Sequence, residues 1–237
     1  MVKHSKRFLA VAEKIDRQKS YSPEEAIDLV KETASAKFDE TVELHLRTNS
    51  DPRQSDQLVR GVVTLPHGLG KPMRVLVFAT GEAAASSRQA GADYVGDDDL
   101  IKQIEGGWLD FDVALATPDM MGRIGRLGRF LGRRGLMPNP RTGTVVQPQD
   151  LPRAITEAKK GRLEYRMDRT ALIHVPIGKA SFEKKQLLDN LATVVEAVMR
   201  SQPTSVKGQF LRTAFLTTTM GPSVKMDVNV LSTLRVE

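Results

Sequence analysis

The chain has 237 residues, of which 40% are hydrophobic and 27% charged, a balance typical of a soluble protein with one or two domains. It contains no cysteine, which excludes disulfides, cysteine-based zinc sites and thiol catalysis. The net charge is +6, and the excess lies in residues 160–237, which carry 12 basic and 7 acidic side chains. A basic balance favours polyanionic partners.

No uninterrupted apolar run approaches the roughly 20 residues that span a bilayer. The apolar patch at residues 8–12 is too short for the apolar region of a signal peptide. We therefore expect a cytoplasmic protein without a membrane partner. Aromatic residues make up only 5% of the chain, so a nucleic-acid site would depend on backbone and polar contacts more than on base stacking.

Residues 1–66 predict two helices followed by two strands. Phe8, Ala12 and Ile15 have helical spacing, and Ser22 with Glu25 forms a capping box at the start of a second helix. Apolar and polar residues then alternate, which indicates a strand with one buried face. Its polar face would carry Thr41, Glu43, His45 and Arg47. The segment "LVRGVVTLP" predicts the second strand.

Residues 67–159 have a different character, because continuous apolar strands alternate with helices. "MRVLVFA" and "FDVALAT" predict strands, and "GEAAASSRQAGA", "DDDLIKQIEGG" and "DLPRAITEAKKG" predict helices. Strands buried on both faces and alternating with helices indicate a parallel, Rossmann-like α/β sheet.

Residues 160–237 predict strand, strand, helix, strand, strand. "RLEYRM" and "TALIHVPIG" are expected to form a hairpin, and "GQFLRTAFLTTTMGP" and "VKMDVNV" are expected to form the last two strands. Neither terminal part is complete alone. We therefore expect one discontinuous α+β domain, a split antiparallel β-α-β type sheet with helices, made from residues 1–66 plus 160–237. Residues 67–159 would form an inserted domain. The two connections would act as hinges at Pro66, Gly68, Gly70, Lys159 and Gly161.

No constellation in the sequence indicates catalysis, a cofactor or a metal. The first strand of the insert is followed by Gly81 alone, where a dinucleotide site needs three glycines. The triple aspartate at 97–99 could hold Mg²⁺, but a charged helix start is the favoured interpretation. The four histidines are scattered at His4, His45, His67 and His174, and none is expected to pair with another ligand at metal spacing.

An arginine- and glycine-rich stretch, "MGRIGRLGRFLGRRGLMPNPRTGTV", leaves two hypotheses open. It could face phosphate groups, either of RNA or of a phosphorylated ligand of an α/β enzyme. It could instead be an amphipathic segment that packs Ile124, Leu127, Phe130 and Leu131 into a core. The arginines concerned are Arg123, Arg126, Arg129, Arg133 and Arg134.

Several motifs resemble a known family over nearly the whole chain. "KFDETVELHLR", "SDQLVRGVVTLPHGLGK", "FDVALATPDMMG", "GLMPNPRTGTV", "IHVPIGKASF" and "FLRTAFLTTTMGPSVK" occur in the order of the ribosomal protein L-one family of the bacterial large subunit. The chain departs from the family at "GRRG", where the family usually has Gly-Pro-Arg-Gly.

The resemblance implies a two-domain protein that is not an enzyme. Its first domain would bind large-subunit ribosomal RNA and form a mobile stalk that contacts and helps release deacylated tRNA at the exit site. The protein would also repress translation of its own operon by binding the mRNA, and would be a monomer outside the ribosome. With Thr41 added from the polar strand face, the expected RNA-binding residues are Lys37, Phe38, Thr41, Asp168, Arg169, Thr213, Thr217, Thr219, Met220 and Gly221. The arginines of the glycine-rich stretch are possible secondary contacts.

The expected mode of binding is fit more than charge. Short threonine hydroxyls would reach ribose and phosphate oxygens, and Gly221 would let the backbone approach RNA closely. Met220 and Phe38 would exclude water from those bonds.

Overall fold

A computed structural model describes residues 5–235 of the chain. Contacts between Cα atoms divide the chain into two compact units. The first unit runs to Gly70 and resumes at Leu163, and the second unit is Lys71–Arg162. Within residues 5–235, no helix is both long enough and apolar enough to cross a membrane.

The described residues form helices and strands with the following bounds. The α-helices are α1 (Lys6–Ala12), α2 (Pro23–Thr33), α3 (Gly81–Gln89), α4 (Asp98–Glu105), α5 (Met121–Ile124), α6 (Gly128–Leu131), α7 (Leu151–Lys159), α8 (Lys184–Arg200) and α9 (Val228–Thr233). The strands are β1 (Thr41–Thr48), β2 (Arg60–Thr64), β3 (Val75–Phe78), β4 (Tyr94–Gly96), β5 (Val113–Ala116), β6 (Arg162–Arg166), β7 (Leu172–Lys179), β8 (Leu211–Thr218) and β9 (Val224–Met226).

Four strands of the first unit form an antiparallel sheet in the order β7-β1-β8-β9. Strand β1 is central, with Thr41 opposite Lys179 of β7 and Arg47 opposite Thr213 of β8. A separate two-stranded sheet pairs β2 with β6. The sheet therefore joins the first and last parts of the chain through hydrogen bonds between strands.

The inner face of this sheet is the main core of the first unit. Val42, Leu44 and Leu46 of β1 are fully buried, as their alternation with polar residues predicts. Helix α2 packs on β8 and β9, and α8 packs on β7. Both helices lie on one side of the sheet; on the opposite side polar side chains predominate, and Phe215 lines a hollow with Phe8 and Ala12 of the α1 region.

The start of α2 is fixed by the predicted capping box. The Ser22 hydroxyl accepts a hydrogen bond from the backbone N–H of Glu25, and the Glu25 carboxylate accepts one from the N–H of Ser22. A capping side chain of this kind contributes about 1 kcal/mol to helix stability.

Two expectations for the last part of the chain are wrong. Strands β6 and β7 do not form a regular hairpin: β6 pairs with β2 and β7 with β1, while an isolated bridge joins Met167 to Ile173. The last strand stops at Met226 because the Asp227 carboxylate caps α9, accepting a hydrogen bond from the N–H of Asn229.

The second unit contains a parallel sheet in the order β4-β3-β5. All four residues of β3, Val75–Phe78, are fully buried, and alternate ones belong to two different core clusters. Helix α4 and the residues Ile124, Leu127 and Leu131 contribute to one cluster, and α3 and α7 contribute to the other. The sheet is therefore covered on both faces, as a continuous apolar strand requires.

A buried amide in α8 holds the segment that precedes the second unit. The Asn190 side chain donates to the carbonyl oxygens of Ile177 (2.7 Å) and Gly68 (3.0 Å), and its oxygen accepts from the N–H of His67 (3.2 Å). The His67 ring lies 2.8 Å from the Asp189 carboxylate. The backbone at His67 and Gly68 is thus fastened to the first unit.

Candidate nucleic-acid interface

The outer face of the four-stranded sheet is the candidate interface, and we call it the outer sheet face. Along β1 the intermediate or exposed residues alternate with the buried ones, and the register with β7 and β8 places their partners beside them. Its central residues are Glu43, His45, Arg47, His174, Thr213, Phe215 and Thr217.

The structure divides the expected RNA-binding residues into two groups at opposite ends of this face. The Met220 end contains Lys37, Phe38, Thr41, Thr217, Thr219, Met220 and Gly221, and the Asp168 end contains Asp168, Arg169 and Thr213. Thr41 and Arg47 are six residue steps apart along β1, which is about 20 Å at roughly 3.4 Å per step. The face is therefore long enough to follow several nucleotides.

The Met220 end presents apolar side chains to solvent. Phe38 is 55% exposed and Met220 is 52% exposed, which is unusual for residues of this size, and Lys37 beside them is also exposed. A partner that covers these side chains would remove their apolar surface from water, which favours binding.

The threonine hydroxyls at this end are engaged within the protein. Thr219 Oγ1 accepts from the N–H of Thr41 at 3.0 Å, and Thr217 Oγ1 donates to the carbonyl oxygen of Thr218 at 3.0 Å. Thr41 Oγ1 accepts from Lys179 Nζ at 2.9 Å. A hydroxyl has one donor and two acceptor lone pairs, so each keeps capacity for a further hydrogen bond, and the expectation that Thr217 and Thr219 contact RNA stays a prediction.

Gly221 also has an internal role that sequence did not indicate. A Cβ at this position would collide with the buried hydroxyl of Thr218. The N–H of Gly221 donates to the carbonyl oxygen of Thr218 at 3.2 Å, which closes the turn after β8. A glycine lets the turn fold tightly over Thr218.

A buried carboxylate connects the two loops of the Met220 end. Glu40 is 1% exposed; its Oε1 accepts from the N–H of Ala36 at 2.8 Å and its Oε2 from the N–H of Met220 at 2.9 Å. Burial acts to raise the pKa of Glu40, but these hydrogen bonds outweigh it and lower the pKa below its ordinary value. Sequence analysis missed Glu40, although it continues the alternation of buried Val42 and Leu44, because a carboxylate is not expected at a buried position.

At the Asp168 end, Asp168 forms a turn. Its carboxylate accepts from the N–H groups of Thr170 and Leu172, both at 2.8 Å, and from the Thr170 hydroxyl. Slight burial acts to raise the pKa of Asp168, but these hydrogen bonds lower it below its ordinary value. Asp168 therefore fixes the loop that presents Arg169 to solvent.

A shallow hollow beside this turn adds residues that sequence reasoning did not select. Leu58 is 52% exposed, and Arg166 and Arg169 are both exposed. The hollow is lined by Pro52, Leu58, Arg166, Met167, Asp168 and Arg169. Their exposure depends on the fold, so the sequence alone gave no signal for this part of the surface.

Two histidines pair at the centre of the outer sheet face, so the expectation that the four histidines are scattered is wrong for these two. The Nδ1 atoms of His45 and His174 are 2.7 Å apart, and the outer Nε2 atoms lie 3.8 Å from the carboxylates of Glu43 and Asp168 respectively. Burial and the neighbouring His174 lower the pKa of His45, outweighing Glu43. His4 lies outside the described residues. Within residues 5–235, no group of three or more potential ligands could hold a metal ion.

The arginine- and glycine-rich stretch is an amphipathic segment, and its contact with phosphate groups stays a prediction. Ile124 of α5, Leu127 of the turn between the helices and Leu131 of α6 are buried, whereas Phe130 is 37% exposed and does not join the core as expected. The arginines lie on the opposite side and are all exposed.

The five arginines differ in their neighbours. Arg123 lies 3.7 Å from Asp98, and Arg126 lies 3.2 Å from Glu105. Acidic partners disfavour a phosphate cradle at these two positions, which weakens the enzyme hypothesis. Arg129, Arg133 and Arg134 remain exposed, and an ion pair with an acid was found for none of these three among the described residues.

Comparison with known proteins places this chain among the ribosomal proteins. The profile of the Ribosomal protein L1p/L10e family matches residues 30–222, which include residues of both compact units. The chain belongs to this family, and the resemblance inferred from its motifs is confirmed.

The relatives match along almost their whole length. The chain is 58% identical over 229 residues to the large ribosomal subunit protein uL1 of Thermomicrobium roseum, covering 96% of this chain and 95% of the relative. It is 56% identical over 236 residues to that of Chloroflexus aggregans, covering 99% and 100%. It is 53% identical over 234 residues to that of Dehalococcoides mccartyi, covering 99% of each.

Proposed function

We propose that this chain is a structural, non-catalytic component of the large ribosomal subunit and binds large-subunit ribosomal RNA with the outer sheet face. The single observation that carries the proposal is that distant segments of the first unit meet at one face, with exposed Phe38 and Met220 at one end and Arg169 at the other. The relatives named as large ribosomal subunit proteins support the assembly. The protein would act in the cytoplasm, without cofactor or metal.

The physical basis of binding is a preformed surface. A-form RNA offers a shallow minor groove that is recognised by shape and by contacts to ribose and phosphate. Phe38 and Met220 would cover sugar and base surface, and Lys37, Arg166 and Arg169 would meet phosphates. Since Thr217 and Thr219 are held by internal hydrogen bonds, little conformational entropy is lost there on binding.

We further propose that the chain forms two separate domains of a mobile stalk, with bounds within about four residues of those of the two compact units. The domains would be residues 1–66 plus 160–237 and the inserted residues 67–159, joined by hinges at Pro66, Gly68, Gly70, Lys159 and Gly161. Positive φ angles at Gly68 (66°), Gly70 (72°) and Gly161 (97°) support tight turns in both connections.

In the inserted domain, Arg129, Arg133 and Arg134 would provide a second basic surface. Arg123 and Arg126 would join it if RNA replaced their ion pairs with Asp98 and Glu105. This surface would add a secondary RNA contact, and the stalk would contact deacylated tRNA at the exit site and help its release. The same outer sheet face would bind the mRNA of the protein's own operon and repress its translation when ribosomal RNA is saturated, since one surface cannot hold both RNAs.

Two experiments test the proposal. In sucrose gradients of cell lysate, the protein should sediment with large subunits. The purified full chain should protect a defined region of large-subunit ribosomal RNA from ribonuclease, and Met220→Glu should remove that protection. A chain that sediments free of ribosomes, or binds that RNA no better than a random duplex, would refute the proposed function.

A further inference from the structure

Glu40 is the only charged side chain that is buried among residues 5–235. A buried carboxylate is costly unless hydrogen bonds compensate for lost hydration. In Glu40 each carboxylate oxygen accepts a backbone N–H, and the two donors are Ala36 and Met220. These donors are far apart in the sequence and belong to different loops, so the carboxylate is the bridge between them.

The other hydrogen bonds of the Met220 end hold each loop separately to the sheet. The Asp39 carboxylate accepts from the hydroxyl of Ser181 at 2.7 Å and fastens the loop that carries Lys37 and Phe38. The hydroxyl of Thr219 accepts from the N–H of Thr41 and fastens the turn that carries Met220. Glu40 bonds to both loops, so it sets the position of one relative to the other.

We propose that Glu40 is a positioning residue for RNA recognition, fixing the spacing between Phe38 and Met220. The inference rests on the proposed function, because it concerns the surface that binds RNA. Both oxygens must accept, so the residue must be ionised. A glutamine would satisfy one N–H with its oxygen and present its NH₂ group to the other, and one of the two loops would be released.

A double-mutant cycle tests the role of Glu40. The probe is the ribosomal RNA fragment that the wild-type chain protects, compared with a random duplex of equal length. Glu40→Gln should weaken binding to the fragment by about fivefold, the effect of losing the apolar contact of Met220, while binding to the random duplex stays the same. Because Glu40 acts through the Met220 loop, adding Glu40→Gln to Met220→Ala should cost much less than it does in the wild type.

The Asp168 end supplies the matched comparison. Arg169 lies about 20 Å away along the face, so Glu40→Gln and Arg169→Ala should weaken binding independently, with multiplied fold-changes. Glu32→Gln, which removes an exposed carboxylate paired with Lys14, controls for the change in net charge and should leave affinity unchanged. If Glu40→Gln does not fold, Glu40→Asp keeps the charge with a shorter reach and should give the same pattern.

The outcomes separate this inference from the proposed function. If the wild-type chain does not prefer the ribosomal fragment, the proposed function fails. If the wild type prefers the fragment but the Glu40 variant binds equally well, or couples to Arg169 as strongly as to Met220, the positioning role is refuted.

Discussion

Replacing Met220 with glutamate tests the outer sheet face at its most exposed apolar residue. Met220 is 52% exposed, so about half of its side chain remains to be buried on binding. Complete burial of such a side chain stabilises by roughly 1.5–3 kcal/mol, so the half that RNA would cover contributes about 1 kcal/mol. Its loss alone corresponds to about fivefold weaker binding.

The introduced carboxylate adds repulsion from phosphate. Two like charges about 4 Å apart in water repel by about 1 kcal/mol, so the total loss is about 2 kcal/mol, or roughly thirtyfold in Kd. Folding should be unaffected, because the side chain is largely in solvent and the N–H of Met220 still bonds Glu40.

The assay is fluorescence anisotropy with the protected ribosomal RNA fragment, together with thermal unfolding of each variant. Val230→Glu is the matched control, because Val230 is 45% exposed and lies in α9 of the same unit. It introduces the same charge and should leave affinity unchanged. If Met220→Glu binds within about twofold of the wild type, or if Val230→Glu weakens binding equally, the reasoning about this end of the face is refuted.

Three further predictions concern stability. Gly221→Ala forces a Cβ against the Thr218 hydroxyl, so we expect a loss of about 1–3 kcal/mol in urea unfolding, and unchanged stability would contradict the tight turn. Gly132→Ala should instead stabilise the chain by up to about 1 kcal/mol in the same assay, because its φ of −63° suits alanine and a Cβ there meets open space; a loss of stability would contradict this reasoning. The lowered pKa of His45 means that the unfolded chain takes up the proton first as pH falls. The free energy of unfolding should therefore be highest above about pH 6.5 and decrease as the pH falls through the folded pKa, with a shallower decrease in His45→Gln; identical slopes in both proteins would refute the assignment.

Local patterns in the sequence were sufficient for most elements. The alternation of Val42, Leu44 and Leu46 predicted the buried face of β1, and Ser22 with Glu25 predicted the start of α2. The apolar run of β3 predicted a strand covered on both sides. Each of these signals lies within a few residues, where periodicity and capping chemistry are decisive.

Pairings between distant residues could not be predicted in the same way. The exchange of partners that joins β6 to β2, and the contact between His45 and His174, depend on which strands become neighbours. The same limit applies to the candidate site: motif resemblance selected Met220 and Gly221, but Glu40 acquires its role only when the turn after β8 reaches the start of β1. A short helix such as α9 was missed because Asp227 can end a strand and cap a helix equally well.

The hydrogen bonds of Asn190 restrict which residues of the connection between the two domains can bend. With His67 and Gly68 hydrogen-bonded to Asn190 of α8, we expect the entry hinge proposed at Pro66, Gly68 and Gly70 to bend chiefly at Gly70. A connection with a single bending point would limit the range of any motion between the two domains. Asn190→Ala, which removes the hydrogen bonds to His67 and Gly68, would lengthen the flexible part of the connection and widen that range.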